Sequence, residues 1–411
     1  MNAPITASMN LKNEEWKRMR LRAIFEHCKW DPQCGDHSVL GEFALLLEPA
    51  TVAQLARFAE QLSREAFEAE NEIYSSPLLL ARLAIPKAIR KCFDGSGAEE
   101  HARHVRVMRF DFHFTTKGWQ ISEVNADVPG GYVEGSGWSE LFSEHLNGFV
   151  AADSPTKAYV DAICEVAPHG GVVALAHATV YSEDRQEMVH LGRELHKRGR
   201  KPMLISPGDL SWKDEEANVA GSAATENPAV IVRRSPAEWL PEMCNAKNWQ
   251  PWFENSATAL SNPGKAIVLQ SKRFPLIWNE LRAELPVWRE MLPKTWCPSE
   301  FERLEREDLV VKPAFGRVGE DVAIQGVTES ARYAEIVRAA RKKETQWVVQ
   351  ERFEVVPVPS ESGEVFPCIG VYTVNGKMAG LYGRAAQRAL IDQDAYDVAV
   401  LVRDENKGRA Q

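Results

Sequence analysis

The chain has 411 residues, of which 44% are hydrophobic and 26% charged, and its formal net charge is −9. This length accommodates two or three packed subdomains, and the composition is ordinary for a globular protein. The acidic balance argues against a nucleic-acid-binding surface, which needs clustered basic residues.

No stretch approaches the eighteen or more apolar residues that span a bilayer, and the polar segment 1–15 lacks the apolar core of a signal peptide. Seven scattered cysteines do not form a disulfide framework. We therefore predict a cytoplasmic protein with no membrane partner. A small group of potential zinc ligands comprises His27, Cys28, Cys34 and His37. Because its spacing matches none of the common zinc motifs, buried thiols and turn histidines are favoured.

The first hundred residues are predicted to be mostly helical from about Leu11 to Phe93. Between residues 51 and 71, apolar side chains recur at helical intervals. From Val105 to Val124 the period changes to two, which is typical of a β-hairpin. A glycine-rich connection follows over 129–137.

The middle of the chain has a βαβ-like pattern, which predicts a small parallel sheet. The predicted strands cover 171–178, 202–206, 229–232 and 266–269, and a helix covers 183–198. Residues 217–228 are predicted as a surface loop, since small and polar residues dominate them.

The last third alternates between strands and a helix. We predict strands at 309–312 and 347–350, with a helix at 330–342 between them. A hairpin of strands 366–374 and 377–382 is predicted across Asn375-Gly376, a strong turn signal. Residues 360–364 are predicted as a loop, and a frayed tail starts at Asp404.

The most specific candidate site residues lie in the first predicted hairpin and are Arg109, Asp111, Glu123 and Asn125. Residues two apart on a strand share a face, and a three-residue turn at 116–118 would place Asp111 opposite Glu123. Arg109 would then lie opposite Asn125. Carboxylate and amide oxygens suit Mg²⁺, and the arginine would neutralise a phosphoryl group. A solvated strand face with a cross-strand ion pair explains the same residues when they are taken alone.

Lys312 ends a predicted strand and precedes a loop that contains Gly316 and Gly319. The Gly-x-x-x-x-Gly-Lys-Ser/Thr order of a P-loop is absent. A lysine in this position would contact phosphates while the loop closes over them, and backbone amides at the two glycines would help to bind an anion. The alternative is an ordinary turn after a strand.

Three further segments of the chain are predicted to contact the nucleotide. Lys272 stands at a predicted strand-to-helix junction, where it would reach the nucleotide. Gln350 and Glu351 end a strand whose peptide groups would hydrogen-bond an adenine edge, and Arg384 would aim another cation at phosphate. Each is weak alone, and their order along the chain carries the signal.

Together these segments resemble the synthetase domain of glutathionylspermidine synthase and its relatives, in the ATP-grasp superfamily. The resemblance runs from about Val105 to Arg384. The segments that carry it are, in order, Arg109-Phe-Asp111; Glu123-Val-Asn125-Ala-Asp127-Val-Pro129; Gln270-Ser-Lys272 with Leu276-Ile-Trp278; Val311-Lys312-Pro313 with Gly316-Arg317-Val-Gly319; Gln350-Glu351; and Gly380-Leu-Tyr-Gly-Arg384. Any one segment is unspecific, whereas six in the same order are not.

The resemblance implies an α+β ATP-grasp fold in circularly permuted order, with ATP and Mg²⁺ in a cleft between subdomains. The ATP-grasp core would comprise residues 101–150 and 261–403. A mainly helical N-terminal region would cover 1–100, a small α/β subdomain on the substrate side 151–260, and a tail 404–411.

The resemblance also implies roles for individual residues. The metal ligands would be Asp111, Glu123 and Asn125. The cations that contact phosphate and the transition state would be Arg109, Arg317 and Arg384. The nucleotide-binding set would be Lys272, Lys312, Gly316, Gly319, Gln350 and Glu351.

The chain departs from the family pattern in two places. Val318 stands where the family's loop usually has a glutamate, and Ala385-Ala386 follow Arg384 where an acid is usual. The later segment with Ile391-Asp392 also differs. These positions lie near the substrate end, so the resemblance does not identify the substrates, and no fused amidase domain is recognisable.

The function that the resemblance implies is an ATP-dependent carboxylate–amine ligase that acts through an acyl-phosphate and releases ADP and phosphate. Its substrates would be a small-molecule or peptide carboxylate and an amine. Glu183 and Asp184 would meet the amine, although an exposed helix N-terminus explains the same acids. Two alternatives stay open: an ATP-grasp phosphotransferase, and a catalytically inactive nucleotide-binding or scaffold protein. The sequence does not fix the oligomeric state.

Overall fold

The computed structural model describes residues 4–34, 37–93, 103–219, 227–243, 248–254, 256–304, 308–317 and 319–405. Val318, the tail from residue 406 and most of the predicted loop at 217–228 therefore lie outside the described residues. The side chains of Cys34 and His37 lie outside them as well.

The α-helices of the described chain are α1 (Asn13–His27), α2 (Pro49–Tyr74), α3 (Pro77–Arg82), α4 (Lys87–Arg90), α5 (Ser139–Ser143), α6 (Pro155–Val166), α7 (Ser182–Lys197), α8 (Leu240–Met243), α9 (Ile267–Gln270), α10 (Pro286–Met291), α11 (Phe301–Leu304) and α12 (Ser330–Lys342). A π-helical turn at Val133–Trp138 leads into α5. Short 3-10 helices include one at Phe274–Glu280.

The strands are β1 (Ile5–Ala7), β2 (Gln33–Cys34), β3 (His37–Ser38), β4 (Leu40–Leu47), β5 (Val107–Thr115), β6 (Gly118–Asn125), β7 (Phe149–Ala151), β8 (Val172–Ala176), β9 (Lys201–Ile205), β10 (Leu210–Lys213), β11 (Glu216–Val219), β12 (Val230–Arg233), β13 (Ala259–Ser261), β14 (Thr295–Trp296), β15 (Leu309–Pro313), β16 (Ala323–Ile324), β17 (Trp347–Glu351), β18 (Val358–Ser360), β19 (Gly363–Val374), β20 (Lys377–Ala386) and β21 (Tyr396–Arg403).

The central sheet has nine strands in the described chain and runs β1-β4-β21-β20-β19-β5-β6, with β18 beside β19 and β7 beside β21. The predicted hairpin across Asn375 and Gly376 is confirmed as β19 and β20. Both turn residues have positive φ, 49° and 78°, which matches the turn type that favours an Asn-Gly pair. The other predicted hairpin, β5 and β6, forms the end of the sheet.

The N-terminal region is helical, as predicted, but it also contributes β4, which pairs in parallel with β21 inside the central sheet. The sequence of β4, LGEFALLL, is a nearly continuous apolar run. Such a run does not distinguish a buried strand from a buried helix by periodicity alone, so this strand was missed.

Helix α2 packs on the central sheet through one apolar stripe. It begins at Pro49, where proline suits the first helical position. The buried stripe consists of Leu55, Ala59, Leu62, Ala66, Ala69 and Ile73. Glu70 of α2 also accepts two hydrogen bonds of 2.8 Å from the guanidinium of Arg106, which precedes β5. This buried ion pair fixes the helix to the chain that enters the hairpin.

Replacing Glu70 with glutamine is expected to lower the free energy of unfolding by about 3–5 kcal/mol, because Arg106 would remain buried without its counter-charge. Urea unfolding measures the change. Glu335→Gln is the matched control, because its ion pair with Arg332 is exposed; we expect a loss below about 1 kcal/mol there. Equal losses in the two variants would contradict this account of the buried pair.

The second sheet runs β13-β12-β8-β9, and all of its strands are parallel. It confirms the predicted small parallel sheet, with α7 as the crossover between β8 and β9. The strand predicted at 266–269 is wrong, because Ala266 ends a 3-10 helix, residues 267–269 belong to the short helix α9, and the fourth strand is β13. Ile267, Val268 and Leu269 are all buried, and so short an apolar run fits either structure.

The third sheet is antiparallel and runs β14-β17-β15-β16. It confirms the predicted strands at 309–312 and 347–350 and the helix at 330–342. The second half of the predicted glycine-rich connection at 129–137 is the π-helical turn. The loop predicted at 360–364 is a tight turn between β18 and β19. Among the described helices, none combines the length and apolar character that a bilayer crossing requires.

Candidate active site

The turn of the acidic hairpin consists of two residues, Thr116 and Lys117, and is closed by the pair Thr115 and Gly118. It is one residue shorter than the predicted turn at 116–118. Gly118 has a φ of 101°, a conformation in which glycine costs nothing sterically. Without a correction, the shorter turn would shift the whole register by one residue and turn Glu123 to the opposite face.

A β-bulge supplies the correction. The pairing shifts between Asp111 and Phe112, where Ser122 is the extra residue on β6. Beyond the bulge, Asp111 lies opposite Glu123 and Arg109 opposite Asn125. The predicted register is therefore confirmed, although the short turn and the bulge that together produce it were not foreseen.

Arg109 and Asn125 hold the carboxylate of Asp111. Nε and Nη2 of Arg109 donate to the two carboxylate oxygens at 2.7 and 2.9 Å, and Nδ2 of Asn125 donates to Oδ2 at 3.1 Å. Nη1 of Arg109 donates to the carbonyl of Gly130 at 2.7 Å, and its guanidinium carbon lies 4.9 Å from the ring centroid of Tyr382. Each arginine nitrogen thus has a protein acceptor.

Glu123 meets Lys272 on the same hairpin face. The lysine Nζ lies 3.0 Å from Oε2 of Glu123 and donates to the carbonyl of Gly316 at 3.0 Å. Burial raises the pKa of Glu123, but Lys272 and Lys312 outweigh burial and lower that pKa to about 2. Glu123 is therefore ionised at any physiological pH, and Lys272 links it to the glycine-bearing loop.

Lys312 approaches the bulge from β15. Its Nζ donates to the carbonyl of Ser122 at 3.1 Å and to Oε1 of Gln350 at 2.7 Å. The Gln350 amide is oriented in turn by donating to Oγ1 of Thr295 at 3.1 Å. Burial, with a contribution from Lys272, lowers the pKa of Lys312 to about 8, although Glu123 opposes the shift. Its charge therefore changes within an accessible pH range.

One cavity is lined by Glu123, Lys272, Lys312 and Gln350, whereas Arg109, Asp111 and Asn125 are not part of its lining. Its apolar walls include Val124, Leu269, Phe274, Trp288 and Leu292. A mostly apolar pocket with a few converging polar groups is typical of small-molecule sites.

The structure places Arg317 and Arg384 outside the lining of that cavity. Nη2 of Arg317 donates to Oε1 of Glu238 at 3.0 Å and lies 3.7 Å from Oδ2 of Asp127. Nη2 of Arg384 donates to the carbonyls of Asp392 and Ala395 at 2.7 and 3.1 Å. Neither arginine touches the Asp111 and Glu123 pair, so their predicted roles stay predictions.

The two loop glycines are required by close contacts. A Cβ on Gly319, whose φ is 69°, would lie 2.6 Å from the carbonyl oxygen of Ile391, and a Cβ on Gly316 would lie 2.6 Å from Cγ of Pro313. The loop therefore packs against the connection between β20 and β21. The predicted anion contacts of these glycines are not tested by this packing.

Gln350 and Glu351, whose peptide groups are predicted to contact adenine, lie at the end of β17. The peptide N–H of Glu351 donates to the carbonyl of Lys294 at 2.8 Å, and both residues pair within the third sheet. That N–H is thus already used within the protein. Gln350 lines the cavity, and its Oε1 accepts from Nζ of Lys312.

Sequence reasoning missed two supports of the hairpin. Oε1 of Gln270 accepts from the peptide N–H groups of Ala126 and Asp127 at 3.0 and 3.1 Å. The buried carboxylate of Asp127 forms an ion pair with Arg233 and accepts from the N–H of Ala237 at 2.9 Å. Asp127 and Gln270 both belong to the segments that resemble the family, and that resemblance was the signal that could have identified them.

The donor set is compatible with Mg²⁺. Within the described residues, no group of three or more His, Cys, Asp and Glu side chains is arranged to hold a metal, which bears on His27 and Cys28 but not on the undescribed side chains of Cys34 and His37. Asp111, Glu123 and Asn125 offer two carboxylates and an amide. Mg²⁺ commonly takes one or two protein carboxylates and completes its octahedron with phosphate oxygens and water, so this set fits.

Comparisons with known proteins give a family and a fold. Residues 12–403 match the family model described as glutathionylspermidine synthase preATP-grasp, and no curated protein matches. A glutathione synthetase-like effector from Globodera pallida, in its apo form, has a TM-score of 0.66 at 12% identity, over 95% of this chain and 97% of that chain. A putative gamma-glutamylcysteine synthetase from Methylobacillus flagellatus KT has a TM-score of 0.40 at 12% identity, over 76% of this chain and 83% of that chain. Because the family model covers nearly the whole chain, this protein belongs to the glutathionylspermidine synthase preATP-grasp family.

Proposed function

We propose that the protein is an ATP-dependent ligase that joins a carboxylate to an amine and releases ADP and phosphate. Family membership supports a ligase related to the ATP-grasp enzymes. The observation that carries the proposal is the meeting of Glu123 with Lys272, 3.0 Å apart, in a cavity that Lys312 also lines. Asp111 lies directly across the hairpin from Glu123.

The charges around the hairpin suit a nucleotide with its metal. Each carboxylate is paired with a cation, Asp111 with Arg109 and Glu123 with Lys272. Entering phosphates would draw these cations toward themselves, which would free carboxylate oxygens. Asp111, Glu123 and Asn125 would then hold Mg²⁺, which would neutralise charge on the β- and γ-phosphates.

The proposed chemistry has two steps. A substrate carboxylate oxygen attacks the γ-phosphorus of ATP, the bond to the bridging oxygen breaks, and ADP and an acyl-phosphate form. A neutral amine then attacks the acyl carbon, its proton is released, and phosphate leaves as the C–O bond breaks. Lys272 and Lys312 would hold ATP, and Arg109, Arg317 and Arg384 would stabilise the developing negative charge.

The proposed architecture is a circularly permuted ATP-grasp fold, because the acidic hairpin precedes both lysines in the chain. Residues 101–150 and 261–403 would form the core, and 151–260 the substrate side. Glu183 and Asp184 would contact the amine substrate. Arg234 would compete with that amine for Asp184, because Nε of Arg234 lies 3.6 Å from Oδ1 of Asp184. Burial raises the pKa of Asp184 although Arg234 opposes this.

The test of function is magnesium-dependent ADP release across pairs drawn from amino acids, polyamines and small peptides. We expect turnover only when a carboxylate and an amine are both present, with a product whose mass equals their sum less one water. ADP release without the amine, with a stable phosphorylated product, would establish a phosphotransferase instead.

Calorimetry tests the nucleotide site separately. We expect magnesium-dependent ATP binding by the wild-type protein. Absence of any such binding at millimolar nucleotide would overturn the ligase in favour of a scaffold protein.

A further inference from the structure

A buried carboxylate of the central sheet lies beside one of the proposed catalytic arginines and is connected to another. Asp397 of β21 accepts a 2.5 Å hydrogen bond from the hydroxyl of Tyr382 through Oδ1, and the same oxygen lies 3.7 Å from Nε of Arg384. The ring of Tyr382 lies against the guanidinium of Arg109, 4.9 Å from its central carbon. Asp397 therefore faces Arg384 directly and is connected to Arg109 through one aromatic ring.

The N-terminal region supplies a cation to the same carboxylate. Nζ of Lys29 forms an ion pair with Glu134 of the π-helical turn and lies 3.4 Å from Oδ2 of Asp397. The side chains of Lys29 and Glu134 are each only 4% exposed. Lys29 reaches this position because Cys28 ends α1 in the left-handed conformation, with a φ of 67°.

Arg384 adds a second cation to this cluster of buried acids. Burial raises the pKa of Glu134, although Lys29 opposes the shift. A cation beside buried carboxylates stabilises their charged form. Arg384 occupies that position, and its Nη2 is held by the carbonyls of Asp392 and Ala395.

Arg384 is held by hydrogen bonds at one of its nitrogens. Its Nη2 has two carbonyl acceptors, whereas its buried Nε lies 3.7 Å from Oδ1 of Asp397 without a hydrogen bond. Among the described residues, Nη1 has no hydrogen-bond acceptor. The two carbonyls and the attraction of Asp397 together orient the guanidinium, and Nη1 is the nitrogen left for a substrate.

We propose that Asp397, Tyr382 and Lys29 are positioning residues, which fix Arg384 and Arg109 for the reaction proposed above. Asp397 and Tyr382 act on the two arginines, and Lys29 holds Asp397 in place. The N-terminal region thereby contributes to the site without touching the nucleotide cavity. The inference rests on the proposed function, since it assigns these residues to that chemistry.

Tyr382→Phe is the first test, because it removes the hydroxyl that Asp397 accepts from and keeps the ring beside Arg109. We expect kcat for ADP release to fall about tenfold while the calorimetric Kd for ATP with magnesium changes less than about twofold, in line with losses at supporting residues elsewhere. Asp397→Asn also loses the charge that faces Arg384, and we expect its kcat to fall about 100-fold with the same unchanged Kd.

The matched control is Tyr159→Phe. Its hydroxyl is buried and lies 2.7 Å from Oγ of Ser261, so the variant also loses one buried hydrogen bond, but not one to Asp397. We expect a similar drop in melting temperature for the two tyrosine variants and an unchanged kcat for Tyr159→Phe. A purely structural role of Tyr382 would make the two variants alike in kcat as well.

The outcomes separate this inference from the proposed function. Wild-type protein that releases no ADP with any substrate pair would overturn the proposed function, and this inference with it. Active wild type with an unchanged kcat in both Tyr382→Phe and Asp397→Asn would overturn the positioning role alone. A rise in the Kd for ATP that matches the fall in kcat would also overturn it, because the residues would then support the nucleotide site.

Discussion

Glu123→Gln is expected to remove nearly all turnover, with kcat for ADP release about 100- to 1,000-fold below the wild type. The amide keeps the shape of the side chain but carries no charge, so Lys272 loses its ion pair at 3.0 Å and the metal loses a carboxylate ligand. The fold should persist, because the bulge and the hairpin register depend on backbone pairing. A coupled ADP assay measures kcat, and circular dichroism checks the fold. Asp111→Asn is expected to behave in the same way.

Glu42→Gln is the control for this substitution. Glu42 is an exposed carboxylate on β4, in the same central sheet, and its loss should leave kcat unchanged. Wild-type turnover in both Glu123→Gln and Asp111→Asn would show that the hairpin acids take no part in catalysis. If Glu123→Gln unfolds, the kcat of Asp111→Asn shows whether the hairpin acids take part in catalysis.

The second large effect is a weakening of ATP binding at alkaline pH. The pKa of Lys312 is about 8 in the free protein, so its ammonium is present below that pH and is lost above it. Bound phosphates need the charged form. We therefore expect the Kd for ATP with magnesium to be nearly constant from about pH 6 to 7 and to rise about tenfold between pH 7 and 9. The reason is that the charged fraction of the lysine falls about tenfold for each pH unit above the pKa. Calorimetry across this range measures the slope.

Lys312→Arg separates this lysine from other titrating groups. A guanidinium stays charged over the whole range, so the pH dependence should disappear even if the absolute affinity falls, because the two side chains present their donors differently. A wild-type Kd that is flat from pH 7 to 9 would contradict the assignment. An equally steep rise in Lys312→Arg would trace the effect to another group.

The hairpin of β5 and β6 shows what sequence periodicity can and cannot predict. Alternation over β5 and β6 predicted that Asp111 and Glu123 share a face, and the Asn375-Gly376 turn predicted the other hairpin. The two-residue turn and the bulge at Ser122 were not predictable, because both depend on backbone geometry that several sequences satisfy equally well. Two deviations of one residue cancelled, so the register was predicted correctly while the turn was not.

Short apolar runs mark the limit of the same reasoning. The segment of β4 and the segment of α9 are both apolar and buried, yet one is a strand and the other a helix. Tertiary packing decides between these structures, and the local sequence does not contain that information.

The site residues that could be predicted are those whose type and order along the chain both match the family pattern. Glu123, Lys272 and Lys312 were chosen on that basis, and the structure brings them to one cavity. The partners of Arg317 and Arg384 were not predictable, since Glu238 and Asp397 belong to no recognisable motif. Such contacts join distant parts of the chain, and without the fold each is an ordinary charged residue.

The parallel pairing of β4 with β21 also bears on how the protein can be divided. A fragment that begins at residue 101 would lack β1 and β4, and the peptide groups on that side of β21 would become an open edge. Exposed edges of this kind pair with other chains and promote aggregation. Deleting the helical N-terminal region is therefore a poor route to a minimal nucleotide-binding fragment, and expression trials should retain β4 together with the helices around it.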